Sequence, residues 1–115
     1  MDLNHLHLHV RDVERAKRFY EAWLGLRERV RHGDILFLRN DDGFDLALGP
    51  AEVVEEFPRW FHFGFRLDSP EAVRALHARM QRENEGRASS LFDEPDRVSF
   101  HCQDPDGYAI EIYWE

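Results

Sequence analysis

The sequence predicts an α+β fold in which two βαβββ modules pair, their strands forming a cupped mixed sheet with the helices outside. Three observations predict it: an internal duplication, segments of strict apolar/polar alternation, and two amphipathic stretches that each follow a helix-capping residue. The duplication is direct, because His5–Val10 followed by Asp12 is matched in the second half by His62–Leu67 followed by Asp68. Such self-similarity is typical of a structural unit used twice.

The chain has 115 residues, of which 43% are apolar and 13% aromatic. That length and composition suit one domain with a core of its own. We therefore expect a single domain over 1–115, with repeat one at about 1–50 and repeat two at about 58–115.

The first repeat opens with alternation from Leu3 to Val10, leucines and valine on one face and histidines on the other, which predicts a half-buried strand. Asp12 is a suitable N-cap for a helix whose apolar residues recur at helical spacing until Gly25. Three strands joined by tight turns are predicted next: Leu26–Val30, Ile35–Arg39 and Phe44–Leu48. Residues 49–56 mark the linker between the repeats.

The second repeat follows the same order. Trp60–Leu67 is predicted as a strand, and Ser69 as the N-cap of a helix with Pro70 at its first position and its end near Gly86. The remaining predicted strands are Ala88–Phe92, Val98–Cys102 and Tyr108–Trp114.

Charge and composition exclude several classes of partner. Fifteen basic against 23 acidic residues give a net charge of −8, and no basic run is present, which argues against nucleic acid and anionic membranes. No apolar run approaches the roughly 20 residues of a membrane-spanning helix, and the N-terminus lacks a signal-peptide apolar region. With Cys102 as the one cysteine, no internal disulfide is possible, and we expect a reducing cytoplasm.

Two histidines and a glutamate form a candidate metal site. His5 and His62 open the two repeats, and the alternation of the last strand places Glu111 opposite Ile110 and Ile112, on the face inside the cup. Two imidazoles and one carboxylate hold a divalent ion while leaving coordination positions open, so the ion can steady a developing oxyanion. The sequence thus predicts one divalent metal on His5, His62 and Glu111, the alternative being structural roles for these residues.

At this point the chain resembles the vicinal-oxygen-chelate superfamily, which includes glyoxalase I, fosfomycin-resistance and bleomycin-resistance proteins and extradiol dioxygenases. The motifs that carry the resemblance are Leu3–Leu6, His62–Phe65, and Asp104–Tyr108 with Glu111. The resemblance implies a glyoxalase-like fold, a metal such as Mn, Fe, Ni or Zn, and chelation of two adjacent substrate oxygens. It also implies a homodimer with shared sites, in which both chains supply ligands.

Two further residues join Glu111 as candidate catalytic groups. Asp45 lies on the strand where glyoxalase I carries a fourth ligand, a glutamate, and it either reaches the metal through water or caps the turn 41–43. His101 stands where fosfomycin-resistance and extradiol enzymes carry a substrate-contacting tyrosine, and an imidazole there suits proton transfer near neutral pH. The alternative for His101 is a surface histidine on an outer strand.

Several departures narrow the function. His9 and Gly49 replace the arginine and asparagine of glyoxalase I, which argues against glutathione as a substrate. The loop between Phe92 and Val98 is short and acidic, which argues against a phosphonate site of the fosfomycin-resistance type. The sequence therefore indicates a divalent-metal-dependent lyase, dioxygenase or transferase acting on a small substrate with adjacent oxygens.

A drug-sequestering protein of the bleomycin-resistance type is the alternative. Such proteins are small acidic dimers with aromatic-lined grooves, and Trp60, Phe61 and Trp114 are compatible with one. The His5, His62 and Glu111 set favours the enzyme.

Overall fold

The chain divides into two units, residues 1–56 and 57–115, in the computed structural model, which describes all 115 residues. Each unit has the order strand, helix and three strands. In both sheets the first strand lies beside the last. The expected α+β class and the βαβββ repeat are confirmed. The boundary between the units falls at the end of the predicted linker.

The first unit is a four-stranded mixed sheet with one helix. Its elements are β1 (His5–Val10), α1 (Val13–Trp23), β2 (Arg27–His32), β3 (Ile35–Arg39) and β4 (Asp45–Pro50). The strand order is β1-β4-β3-β2, with β1 parallel to β4 and the other neighbours antiparallel. Alternation explains its core, since Leu8 and Val10 are buried while His7 and His9, on the other face of the strand, are exposed.

Capping and apolar spacing fix α1 within this unit. Asp12 Oδ1 accepts a hydrogen bond from the Arg15 backbone N–H at 3.1 Å, and Gly25, at φ +68°, lets the chain leave the helix. The helix packs on β4 and β2 through a buried stripe: Ala16, Phe19, Tyr20 and Trp23.

The second unit repeats this design. Its elements are β5 (Phe63–Arg66), α2 (Pro70–Glu83), β6 (Phe92–Glu94), β7 (Arg97–Gln103) and β8 (Ala109–Trp114). The strand order is β5-β8-β7-β6, with β5 parallel to β8 and the rest antiparallel. Ser69 caps α2 as predicted, its Oγ accepting from the Ala72 N–H at 3.1 Å. Helix α2 packs on β7 and β8, where Ile110 and Ile112 are fully buried.

Two strands of the second unit begin three or more residues after their predicted starts, while the other two agree with theirs to within one residue. The strand predicted over 60–67 is shorter, so His62 directly precedes β5. The strand predicted over 88–92 is displaced, and β6 begins at Phe92. The reason lies at Ser89, whose hydroxyl accepts from the His101 N–H at 2.9 Å, so a side chain replaces the carbonyl that a strand would offer.

Neither helix could span a bilayer, because the longer, α2, has 14 residues and no helix is sufficiently apolar.

The turn after α2 generates a stability prediction. Gly86 has φ +71°, and a Cβ there would lie 2.9 Å from Sδ of Met80, which is fully buried. Gly86→Ala should therefore lower the free energy of unfolding by more than the roughly 1–2 kcal/mol that left-handed backbone alone costs a non-glycine residue. Gly43→Ala is the matched control, because Gly43 has φ +86° but no atom near its absent Cβ. Urea unfolding of both variants measures the difference, and equal losses would contradict the close contact.

Candidate active site

Three potential metal ligands converge in the second unit. The donor atoms of His62, His101 and Glu111 all lie within 4.8 Å of one another. His101 and Glu111 are paired residues of β7 and β8, and the rings of His62 and His101 are 5.3 Å apart. The structure thus unites two of the predicted ligands, His62 and Glu111, with the predicted proton-transfer residue.

The strand order of the second sheet brings these groups together. β8 lies between β5 and β7, so Glu111 has Gly64 of β5 on one side and His101 on the other. A Cβ at Gly64 would lie 3.3 Å from the Glu111 carbonyl oxygen and 3.6 Å from the Tyr113 ring. Glycine at that position therefore keeps a side chain from pressing on the strand that carries Glu111.

His62 is oriented by a hydrogen bond on each side of its ring. Nδ1 lies 3.1 Å from the Trp60 carbonyl oxygen, and Nε2 lies 3.2 Å from Oε2 of Glu111. A carbonyl oxygen only accepts, so Nδ1 carries the proton, and the neutral ring turns the lone pair of Nε2 toward a carboxylate oxygen. A proton or a metal ion shared between these two atoms would make the contact favourable.

The donor set fits a divalent metal better than a proton. A proton joins only His62 to Glu111, whereas a metal ion uses His101 as well. Metal bonds to these donors are about 2.0–2.2 Å long, so two ligand atoms on one ion are at most about 4.4 Å apart. The donor atoms of His62, His101 and Glu111, within 4.8 Å of one another, are close to that limit.

The Glu111 carboxylate is half-buried and held by an arginine that the sequence analysis missed. Nη2 of Arg97 donates to Oε1 of Glu111 at 2.5 Å, while Nη1 donates to Glu115 at 2.9 Å. The guanidinium also lies over the ring of Tyr113, 5.4 Å from its centre. Extending the alternation of β7 by one residue, from His101 through Ser99 to Arg97, puts the arginine on the site's face and would have found it.

A pocket of about 330 Å³ adjoins these groups. Its walls are three hydroxyls, two aromatic rings and three charged or titratable groups: Ser89, Ser90, Ser99, Phe92, Phe100, Arg97, His101 and Glu111. The acidity of the neighbouring loop is partly neutralised, because Arg74 of α2 holds Asp93 at 2.8 Å and lowers the pKa of its carboxyl. The pocket is therefore richer in hydroxyl groups and less acidic than the sequence suggested.

Comparison with known proteins assigns the family. The family model described as the Glyoxalase/Bleomycin resistance protein/Dioxygenase superfamily matches residues 2–112. The chain belongs to this superfamily.

Individual relatives are diverse within the superfamily. The chain is 26% identical to a metapyrocatechase of Geobacillus stearothermophilus over 98% of its own length, but it spans only 34% of that protein. It is 28% identical to a probable trivalent organoarsenical cleaving enzyme of Bacillus subtilis, covering 96% of this chain and 77% of the relative. A solved structure of a possible glyoxalase from Bacillus cereus aligns with a TM-score of 0.78 at 31% identity, covering 97% of each chain.

The third predicted metal ligand, His5, lies on β1 in the first unit. Its Nδ1 is 3.0 Å from Oδ1 of Asn4, an acceptor, so the proton resides on Nδ1 and Nε2 offers its lone pair. His5 and His62 thus share one feature, an oxygen partner that leaves Nε2 as the ligand atom, as is typical of metal-binding histidines.

Asp45 is a clamped carboxylate. Arg39 binds both its oxygens, at 2.7 and 2.9 Å, and Arg29 adds a contact at 3.1 Å. These bonds lower the pKa of the Asp45 carboxyl, and the hydrogen bond from Arg39 makes the largest contribution. Asn40, not Asp45, caps the turn 41–43, since Asn40 Oδ1 accepts from two backbone N–H groups at 2.9 and 3.1 Å. The cap proposed for Asp45 is wrong.

Asp45→Asn should destabilise the protein at neutral pH without changing its metal content. Because the folded state lowers the carboxyl pKa, the ion pairs stabilise the fold above the ordinary pKa of about 3.9 and are lost as pH falls through the lower, folded value. The stability difference between wild type and Asp45→Asn should therefore be constant above about pH 5 and shrink below about pH 4. Thermal unfolding across pH, with Asp41→Asn as control, tests this. Loss of metal from Asp45→Asn would instead make Asp45 a ligand.

Proposed function

We propose that the chain is a metal-dependent vicinal-oxygen-chelate enzyme acting on a small substrate with two adjacent oxygens. The observation that carries the proposal is the close approach of Nε2 of His62 to Oε2 of Glu111, with the donor atom of His101 and a pocket beside them. Membership of the superfamily supports it. The acidic net charge of −8 favours a small molecule over nucleic acid as partner.

The residues of the site have different roles in the proposed function. A bound divalent ion supplies open coordination positions and stabilises negative charge on the substrate. His62 and Glu111 would hold such an ion, and Arg97 donates a hydrogen bond to Glu111. The serine hydroxyls and Phe92 line the volume where the substrate lies.

Two histidines are candidates for the third ligand. His101 has its donor atom beside those of His62 and Glu111. His5 is the residue that the duplication predicts, and its Nε2 is prepared for ligation. If His5 fills the position, His101 is left to exchange a proton with the bound substrate. Either set is two histidines and one carboxylate, the combination common in Fe(II) oxygenases.

An oxygenated carbon compound suits the site better than an arsenical. Trivalent arsenic is soft and prefers thiolate ligands, by the same matching of soft partners seen with metals. Cys102 is 1% exposed, and burial raises the pKa of its thiol to about 12. The chain therefore offers no thiolate to the pocket, and organoarsenical cleavage is not the activity we propose.

Metal analysis tests the proposal first. Wild type, purified after metal-supplemented expression and dialysed, should retain one divalent ion per site. Glu111→Gln keeps the side-chain shape but removes the charge, so metal affinity should fall by more than the ~100-fold that loss of an outer partner costs. His62→Ala should also lower metal affinity. His32→Ala is the control, because His32 lies on β2 and belongs to neither proposed ligand set, so metal affinity should not change.

The same assay identifies the third ligand. Loss of metal from His5→Ala but not from His101→Ala makes His5 the ligand, and turnover by His101→Ala should then fall about 10²–10⁴-fold with metal retained. The reverse pattern makes His101 the ligand. Wild type without any tightly held metal would contradict the proposed function.

A drug-sequestering protein is the second candidate, favoured by one observation. Phe57, Trp60 and Phe61 form an aromatic cluster with Tyr108, and Trp60 is 77% exposed. Metal-free wild type that binds a cationic aromatic drug and quenches tryptophan fluorescence would support this candidate over the enzyme.

We also propose a homodimer with shared sites. The resemblance to the superfamily motivates it, and several large apolar side chains are exposed and available to an interface: Leu3, Val53, Phe57, Trp60 and Phe92. Sedimentation at micromolar concentration should give twice the monomer mass of 13.7 kDa. A species of 13.7 kDa would contradict the dimer.

A further inference from the structure

We propose that Arg97 is a positioning residue, which holds Glu111 so that only one carboxylate oxygen faces the metal. The inference rests on the proposed metal site. Its starting point is that the two oxygens of the Glu111 carboxylate have different partners. Oε1 accepts from Arg97 at 2.5 Å, and Oε2 faces His62 at 3.2 Å.

Arg97 is itself held in place, which a positioning role requires. Its second terminal nitrogen donates to Glu115 at 2.9 Å, and its guanidinium lies over the Tyr113 ring. The side chain is 36% exposed. A planar guanidinium with two anionic partners and an aromatic face has little freedom left, so it imposes a direction on Glu111.

The consequence concerns the coordination of the metal. A charge-assisted hydrogen bond to one carboxylate oxygen disfavours use of that oxygen as a ligand and presents the other. Glu111 then occupies one coordination position instead of two. The position that it leaves is available to a substrate that binds through two oxygens.

An opposing effect must be weighed. The positive charge of Arg97 repels a divalent ion, so by charge alone its removal would tighten metal binding. Glu115, however, pairs with the same guanidinium and offsets its charge. We therefore expect orientation to outweigh repulsion. The two effects predict opposite changes in metal affinity when Arg97 is replaced.

Titration of the metal-stripped full chain with Co²⁺, followed by visible absorption, separates them. Arg97→Met keeps the packing on Tyr113 but has no donor, and it should weaken Co²⁺ binding about 10–100-fold. The spectrum of its Co²⁺-saturated form should change, because a freed carboxylate alters the coordination number. Arg97→Lys, which keeps a charged donor without the fork, should bind with intermediate affinity.

Arg79→Met is the matched control. It makes the same substitution on α2, where Arg79 pairs with Glu83 at 3.0 Å, so Co²⁺ affinity should change less than about fivefold and the spectrum should not change. Circular dichroism checks that each variant folds, and Arg97→Ala replaces Arg97→Met if the latter does not.

The outcomes are distinct. Co²⁺ binding by the arginine-free variant that equals or exceeds wild type, with the same spectrum, overturns the role of Arg97. Wild type that binds no Co²⁺ overturns the metal site instead.

Discussion

The parallel pairing of β5 with β8 is the contact on which the candidate site depends. It places the strand that begins after His62 beside the strand that carries Glu111, although the two are far apart in sequence. Antiparallel pairing of β7 with β8 then brings His101 opposite Glu111. A one-residue slip in either register would turn Glu111 toward the core, where Ile110 and Ile112 now pack, and a charge there would be costly.

The hydrophobic core enforces this register. Along β8 the buried isoleucines alternate with the half-buried Ala109, Glu111 and Tyr113, and helix α2 covers the isoleucine face. The energy that fixes the site therefore comes mostly from apolar burial on the opposite face of the same sheet. Polar contacts such as that of Arg97 with Glu111 set only the final orientation of side chains.

The features that obey a period could be predicted from the sequence. Alternation gave the strands and the faces of Leu8, Val10 and Glu111, and capping residues gave both helix starts. The displaced strand at Ser89 could not be predicted, because a hydroxyl there competes with the backbone for the His101 N–H and propensity does not register that competition. The position of Arg97 on the same face as His101 follows from alternation once β7 is extended by one residue, but its hydrogen bond to Glu111 does not, because that bond depends on the reach of a long side chain.

The same limit applies to the acidic residues. Their positions predict a negative surface, but partners decide the effect of each one. Asp93 pairs with Arg74 on helix α2, and Asp45 pairs with Arg39 on β3 and Arg29 on β2. Counting charges along the chain cannot distinguish a neutralised carboxylate from an active one.

The two clamped carboxylates show how duplicated halves can diverge. Asp45 and Glu111 lie on the last strands of their units, and each accepts from an arginine on the adjacent strand. Asp45 receives two guanidinium groups, so its surroundings carry excess positive charge. Glu111 shares its single arginine with Glu115 and keeps an excess of negative charge. The first half therefore surrounds its carboxylate with charge that repels a cation, whereas the second half leaves its carboxylate able to attract one.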